Sequence, residues 1–185
     1  MLSGAGNAEL LLVNTILGLY TIAVMLRFIV QFTGVDPYNQ ITQFLIHITN
    51  PPLQPLRRVF PRYRNVDTAA LVLMVIISVI TIELDLLIVG IEALSLGWVA
   101  IWSLLRLVVL LCNLYFFTTL VGALLSWFNP GHSPAIVFLW SINEPVLRPI
   151  RRYIPPIAGL DLSPLVILLI TQVIINFVGL PGIFR

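Results

Sequence analysis

Four long apolar segments dominate the chain and limit what it can fold into. They cover about residues 10–32, 68–91, 107–128 and 162–180, and the third has an interfacial approach beginning near Trp98. A helix of roughly 20 apolar residues spans about 30 Å of hydrocarbon. Only 10% of the residues are charged, whereas a soluble domain carries about 25%. The sequence therefore predicts an all-α integral membrane protein with four transmembrane helices.

Residues at the segment ends favour helix starts. Asp67 or Thr68 is placed to cap the second helix, and Ser163 to cap the fourth, with Pro164 in its first turn. The first segment has no positive region ahead of it and is longer than the core of a signal peptide. We therefore expect it to be a retained transmembrane helix.

The placement of arginine predicts the orientation. All ten basic residues are arginines, and two of them, Arg106 at the edge of the third span and Arg185, lie on one side. Seven lie in the two long connections on the other side, namely Arg57, Arg58, Arg62 and Arg64, then Arg148, Arg151 and Arg152. Because loops rich in arginine stay inside, we expect both connections in the cytoplasm (or the stroma of a plastid) and both termini outside, in the periplasm.

The two halves of the chain repeat each other. Residues 50–61 align without gaps on residues 144–155, at an offset of 94 positions. The residues that recur are Pro51 and Pro145, Leu53 and Leu147, Pro55 and Pro149, Arg57 and Arg151, Arg58 and Arg152, Pro61 and Pro155, and Asp67 and Asp161. We predict two units, residues 1–92 and 93–185, each a two-span helical hairpin and both inserted the same way round.

A short amphipathic segment precedes each repeated motif. Apolar side chains recur at helical spacing in residues 38–49 and 134–142. Both segments are too short to span, so we expect them to lie in the membrane interface. Prolines should end these helices and structure the loops that follow, at Pro51, Pro52, Pro55 and Pro61 in the first copy and Pro145, Pro149 and Pro155 in the second.

The repeated motif resembles that of the YggT family. The residues that carry the resemblance are Pro-x-Leu-x-Pro-[Leu/Ile]-Arg-Arg-x-x-Pro, followed by Asp67 or by Gly159-Leu160-Asp161-Leu162-Ser163-Pro164. The resemblance covers nearly the whole chain, and the duplicated form looks like the proteobacterial type, which implies the bacterial cytoplasmic (inner) membrane. The first copy lacks the Gly and the Ser-Pro of the pattern, so we expect the second copy to be the better binding site.

The family implies several physiological roles that do not share one reaction. Bacterial relatives are linked to tolerance of osmotic shock, or to cell division and envelope organisation. Plastid relatives are linked to haem attachment to cytochrome b6 and to nucleoid distribution.

Arginines in the two motifs are candidates for binding phosphate groups on anionic lipid or on a partner. The planar guanidinium can bind phosphate through two parallel hydrogen bonds. The alternative is that these residues only set topology. Asp67 and Asp161 either pair with an arginine or cap the next helix. The candidate binding residues are Arg57, Arg58, Arg148, Arg151 and Arg152.

Ionisable and amide side chains also occur within the spans. Charges in a bilayer are costly and often functional. We expect Glu83 and Asp85 to pair with Arg106 across the short outer turn, and Arg27 to extend towards the interface. The alternative is a polar pathway that also includes the deeper residues Asn113, Gln172 and Asn176.

Reactive groups are not clustered in the sequence. His47 and His132 occupy non-equivalent positions, and Cys112, in an apolar run, is the one cysteine. We find no nucleophile–base pair and no ligand spacing, and so expect no enzymatic activity, no cofactor and no metal site.

Two functions remain as hypotheses. The first is a non-enzymatic scaffold or assembly factor of the cell envelope, whose arginine loops contact anionic lipid headgroups and membrane-protein partners, without direct nucleic-acid binding. The second is a channel or transporter, or a subunit of one, in the osmotic-stress response. Four spans are few for a pore, so that hypothesis needs a homo-oligomer.

Overall fold

The computed structural model describes residues 4–63, 66–91, 94–128, 133–154 and 161–184. Apart from one isolated bridge between Tyr63 and Val66, this part of the chain contains no β-structure. The predicted all-helical class is confirmed. A short 3-10 turn, Gly182–Phe184, follows six α-helices: α1 (Gly4–Thr33), α2 (Gln40–Val59), α3 (Thr68–Val89), α4 (Leu96–Phe128), α5 (Pro134–Tyr153) and α6 (Ser163–Val178).

Three helices are long and apolar enough to cross a membrane, as expected of a membrane protein. Their apolar parts are Gly6–Thr33, Thr68–Val89 and Leu96–Leu125. The fourth predicted span is the 16-residue helix α6, which at 1.5 Å per residue is only about 24 Å long. The four-span hairpin topology therefore stays a prediction.

Helix α4 begins earlier than the sequence predicted. The expected span started near Leu107, with Arg106 at its edge, but the helix already begins at Leu96. Arg106 lies ten residues inside it and is 2% exposed. Nothing between Leu96 and Arg106 breaks a helix, and the arginine side chain has polar neighbours on other helices. The charge therefore does not mark a helix end.

The expectation that prolines end the helices before the arginine pairs is wrong. Helix α2 continues through Pro51, Pro52 and Pro55 and ends at Val59. Helix α5 continues in the same way through Pro145 and Pro149 and ends at Tyr153. The arginine pairs consequently lie in the last turns of two 20-residue helices, not in loops.

A hydrogen bond from another helix compensates for one of these prolines. Pro52 has no N–H, so the carbonyl of Ile48, four residues earlier, has no partner in its own helix. The hydroxyl of Tyr20 on α1 donates to that carbonyl at 3.2 Å. In the second copy the equivalent residue is Val146, which has an N–H of its own. At Pro52, a tertiary contact thus replaces the backbone bond that proline removes.

Apolar helices pair within each half of the chain. Helix α1 packs mainly against α3, α4 packs mainly against α6, and α3 joins the halves by packing on α4. Helix α2 lies against α1 and α3, and α5 lies against α4, α6 and α1. Leu53 of α2 is fully buried in the main core cluster. The same order of apolar helix, proline-containing helix and apolar helix therefore occurs twice.

Polar side chains position α2 and α5 relative to their neighbours. Asn39 accepts from the N–H of Ile41 at the start of α2, and its amide donates to the carbonyl of Pro134 at 2.9 Å. The starts of the two helices therefore meet. Buried Asn143 of α5 accepts from the hydroxyls of Thr118 and Thr119 on α4, at 2.9 and 3.1 Å.

Candidate functional site

Arg57 and Asp67 form an ion pair that closes the first motif. Arg57 lies in the last turn of α2, and Asp67 precedes α3, so the pair joins the two helices. Asp67 is 1% exposed, and Arg62 approaches the same carboxylate oxygen to 3.9 Å. Asp67 makes no side-chain capping bond to α3. Its carboxylate therefore pairs with the arginines and does not cap the helix.

Arg151 and Asp161 occupy the equivalent place in the second copy. The Nε of Arg151 donates to Oδ2 of Asp161 at 2.8 Å. Arg151 also contacts Glu144 at 3.2 Å, and Arg148 reaches Glu144 at the same distance. Two arginines therefore face two carboxylates, and all of these side chains are partly exposed to solvent.

Asp161 also starts helix α6. The N-cap residue is Leu162, not the predicted Ser163, and Oδ1 of Asp161, one residue earlier, accepts from the backbone N–H of Ser163 at 2.9 Å. Burial works to raise the pKa of Asp161, but its contacts with Ser163 and Arg151 outweigh burial and hold that pKa below its usual value. The carboxylate form is therefore the one that the fold favours.

Arg58 and Arg152 face outward. They occupy equivalent positions in the last turns of α2 and α5, and both are exposed. No carboxylate in the described ranges lies within salt-bridge distance of either residue. Each arginine pair thus divides into one residue that closes the motif and one that is available at the surface.

Arg27 is buried beside the first motif. It is 8% exposed, and its Nε and Nη1 atoms are buried without a hydrogen-bond partner in the described part of the chain. The side chain interacts electrostatically with Arg57, Arg62 and Asp67. Arg27 therefore belongs to the first motif, which sequence spacing did not suggest.

Asp85 and Arg106 are buried between α1, α3 and α4. They are 0% and 2% exposed. Asn14 links them, because its amide nitrogen donates to Asp85 Oδ1 at 2.9 Å and its oxygen accepts from Arg106 Nη2 at 3.2 Å. A Cβ placed on Gly18 would lie 3.8 Å from the same guanidinium. The predicted direct pair across the outer turn is thus replaced by a bridge through an amide.

The remaining members of the predicted polar set lie elsewhere. Glu83 and Asn113 are half-buried, and Gln172 and Asn176 are exposed on α6. The amide of Asn176 donates to the carbonyl of Gln172 in its own helix. The set therefore separates into a buried centre and scattered outer residues, so the structure does not assemble it into a single path.

Sequence reasoning missed Asn14. An amide in the middle of an apolar segment is a recognisable feature, since such side chains join helices in a bilayer. Its partners, however, lie 71 and 92 positions away. No local pattern could have identified them.

Two adjoining grooves lie beside the motifs. A polar one of about 360 Å³ is lined by Phe32, Thr33, Ser141, Glu144, Pro145 and Arg148. It shares Phe32 and Pro145 with an apolar one of about 470 Å³, which also includes Val66, next to Asp67. The apolar groove has the character of a surface that packs against hydrocarbon.

Some predicted positions lie outside the described residues, namely Arg64, His132, Pro155 and Arg185. His47 is exposed on α2, and Cys112 is buried. Within the described ranges, no group of three or more His, Cys, Asp or Glu side chains is placed to hold a metal ion.

A comparison with known families supports the sequence-based resemblance. The profile of the CCB3/YggT family matches residues 7–88 and again residues 101–181. The two matches cover most of both halves, in keeping with the internal repeat. No solved structure matches the chain.

Individual bacterial proteins are similar over nearly their whole length. An uncharacterized protein of Pseudomonas aeruginosa is 35% identical over 179 residues, which cover 94% of this chain and 91% of the relative. The uncharacterized protein YggT of Escherichia coli K12 is 36% identical over 168 residues, covering 91% and 87%. An uncharacterized protein of Haemophilus influenzae is 33% identical, covering 90% and 89%.

Proposed function

The chain belongs to the CCB3/YggT family, and we propose that within it this protein acts as a non-enzymatic membrane scaffold of the cell envelope. In this proposal the ends of α2 and α5 form a platform for anionic lipid headgroups and membrane-protein partners. The platform faces the cytoplasm, the membrane is the bacterial inner membrane, and the termini lie in the periplasm.

The observation that carries the proposal is the division of each arginine pair. Arg57 and Arg151 are engaged with carboxylates, whereas Arg58 and Arg152 are exposed and repeat at equivalent positions. Topology requires only a number of positive charges, and it does not require that the same member of each pair stay free. A repeated exposed guanidinium suits recognition of phosphate or carboxylate.

The surroundings of Arg58 and Arg152 also fit a contact surface. Tyr153, next to Arg152, is 87% exposed, and Val59, next to Arg58, is 70% exposed. Arginine beside exposed aromatic or aliphatic side chains is the composition typical of protein interfaces and of membrane interfaces.

The channel hypothesis has less support. It depended on a polar pathway, but Gln172 and Asn176 are exposed on α6, away from the buried Asp85 and Arg106. We therefore retain the scaffold as the proposed function.

The experiment is crosslinking and recovery of partners from native membranes. Wild type is compared with the double variant Arg58→Gln, Arg152→Gln, and Arg58→Lys, Arg152→Lys serves as the charge-matched control. We expect wild type to recover a defined partner set that the Gln variant loses, at equal expression and with unchanged orientation of a terminal reporter. Recovery of the same set by the Gln variant would contradict the proposal, as would recovery of nothing but the protein itself and lipid by wild type.

A further inference from the structure

The two copies of the motif differ in their charge balance. In the second copy, Arg148 and Arg151 face Glu144 and Asp161, so positive and negative charges are equal. In the first copy, three arginines surround one carboxylate, because Arg27 and Arg62 stand where the second copy has Val121 and Pro156. The members of this first-copy cluster are Arg27, Arg57, Arg62 and Asp67.

Arginine N–H groups in this cluster are buried without acceptors among the residues that the structure describes. They are Nε and Nη1 of Arg27 and Nε of Arg57. A buried donor without a partner carries the full cost of its desolvation, and the cost is larger when the group is charged. Asp67 neutralises only one of the three guanidinium groups. The cluster is therefore complementary to a further anion.

We propose that Arg27, Arg57 and Arg62 form a binding site for a phosphate group. Phosphate oxygens accept the hydrogen bonds that guanidinium groups donate in parallel. The excess of two positive charges suits a phosphomonoester, whose charge at neutral pH lies between one and two negative units. Asp67 Oδ1, which is also buried without a partner, would accept from the P–OH of the monoanion or from a water molecule.

The position of Arg27 suits a lipid headgroup. The residue lies six positions before Thr33, the end of α1, which corresponds to about 9 Å along the helix. Basic pockets between transmembrane helices on the cytoplasmic side bind the headgroups of anionic lipids. A lipid and a soluble phosphate would present the same chemical group to this site. The choice of a lipid as the source rests on the proposed function, whereas the phosphate site itself does not.

The first copy, not the second, is therefore the phosphate site. The sequence favoured the second copy because it has the complete Gly and Ser-Pro pattern. That copy, however, has already paired Arg148 and Arg151 with its own carboxylates. It also has no counterpart of Arg27, because the chain contains no arginine between Arg106 and Arg148.

Binding is measured on the full chain in nanodiscs of phosphatidylcholine. Phosphatidic acid is added in increasing mole fractions, and the apparent Tm and the bound lipid seen by native mass spectrometry are recorded. Inorganic phosphate, added without phosphatidic acid, tests the soluble source. The test variant is Arg27→Met, which keeps a flexible, unbranched side chain without the charge, and the matched control is Arg148→Gln in the second copy.

We expect phosphatidic acid to raise the Tm of wild type and of Arg148→Gln. Arg27→Met should bind at least about tenfold more weakly, because one charge-assisted contact is lost. Without phosphatidic acid, Arg27→Met should be as stable as wild type or more so. A rise with inorganic phosphate alone would assign the site to a soluble phosphate.

Equal binding by Arg27→Met and wild type would overturn the proposal. A wild-type protein that responds to neither phosphate source would also overturn the proposal. The anion that binds the cluster would then be a carboxylate of a protein. If Arg27→Met does not fold, Arg62→Gln, at a half-exposed position, provides the same comparison. Partner recovery with the Arg58 and Arg152 variants is independent of these results, so failure of this site and failure of the scaffold function remain distinguishable.

Discussion

Arg151 donates to Asp161 at 2.8 Å, and the same carboxylate accepts from the first turn of α6. The contact joins the end of α5 to the start of α6. Arg57 and Asp67 make the same connection between α2 and α3. The arginine–aspartate pair is therefore common to both copies of the repeat, whereas the charged residues around it differ between the copies.

Replacing Asp161 with Asn should destabilise the protein in a pH-dependent way. The pKa of Asp161 is lowered in the fold, so the carboxylate contributes stability above its unfolded pKa of about 3.9 and loses it as the pH falls through the folded pKa. We expect a loss of about 1 kcal/mol at pH 7, because the pair is partly exposed and the capping bond is retained only in part. Melting curves of both proteins at pH 7 and at pH 3 should converge at the lower pH. A constant difference would contradict the assignment.

Replacing Arg57 with Gln should destabilise the protein far more than replacing Arg58. Asp67 is almost fully buried, and the Arg57 change removes its charge-assisted hydrogen bond and leaves Arg62, at 3.9 Å, as the nearest cation, at a cost of about 2 kcal/mol. Replacing the exposed Arg58 should change the free energy of unfolding by no more than about 0.5 kcal/mol. Denaturant unfolding in detergent measures both. Similar losses for the two variants would show that Arg57 and Arg58 do not have separate roles.

The hydrogen bond from Tyr20 to the Ile48 carbonyl should stabilise the protein mainly when Pro52 is present. Tyr20→Phe leaves the Ile48 carbonyl without a donor, which we expect to cost about 1 to 2 kcal/mol. Pro52→Ala restores an N–H within the helix, so the same tyrosine change should then cost clearly less. The four proteins form a double-mutant cycle. A coupling energy near zero would mean that the hydroxyl does not replace the missing backbone bond.

Asp85 and Arg106 should depend on each other. Asp85→Ala leaves Arg106 buried without a counter-charge and should cost about 3 to 5 kcal/mol. Asp85→Ala combined with Arg106→Met removes both charges and should recover most of that loss. Glu83→Ala, two residues away on the same helix and only half-buried, is the control and should change little. A double variant as unstable as the single one would show that the two charges act separately.

The fold class could be predicted because long apolar segments leave few alternatives. The helix ends were harder to predict. A proline in the sequence indicates a local loss of helix stability, but the sequence does not show that a donor such as Tyr20 on another helix compensates for it. The start of α4 was missed for a similar reason: an arginine looks like a boundary until its partner Asn14 is known. Both errors concern contacts between residues far apart in sequence.

The candidate sites show the same limit. The arginine–aspartate spacing is visible in the sequence because both partners belong to one motif. The burial of Arg27 beside that motif is not visible, because α1 and α2 come together only in the folded chain. Sequence alone therefore favoured the second copy, which has the more complete pattern, whereas the excess positive charge lies in the first copy.

The hydrogen bond from Tyr20 also has a consequence for the order of folding. A segment whose backbone bonds are completed by a neighbour gains its full helical stability only after docking on that neighbour. Helix α1 precedes α2 in the chain, so during synthesis the docking surface emerges from the ribosome before the segment that needs it. A free peptide of residues 40–59 should accordingly be less helical in micelles than the same stretch in the intact protein.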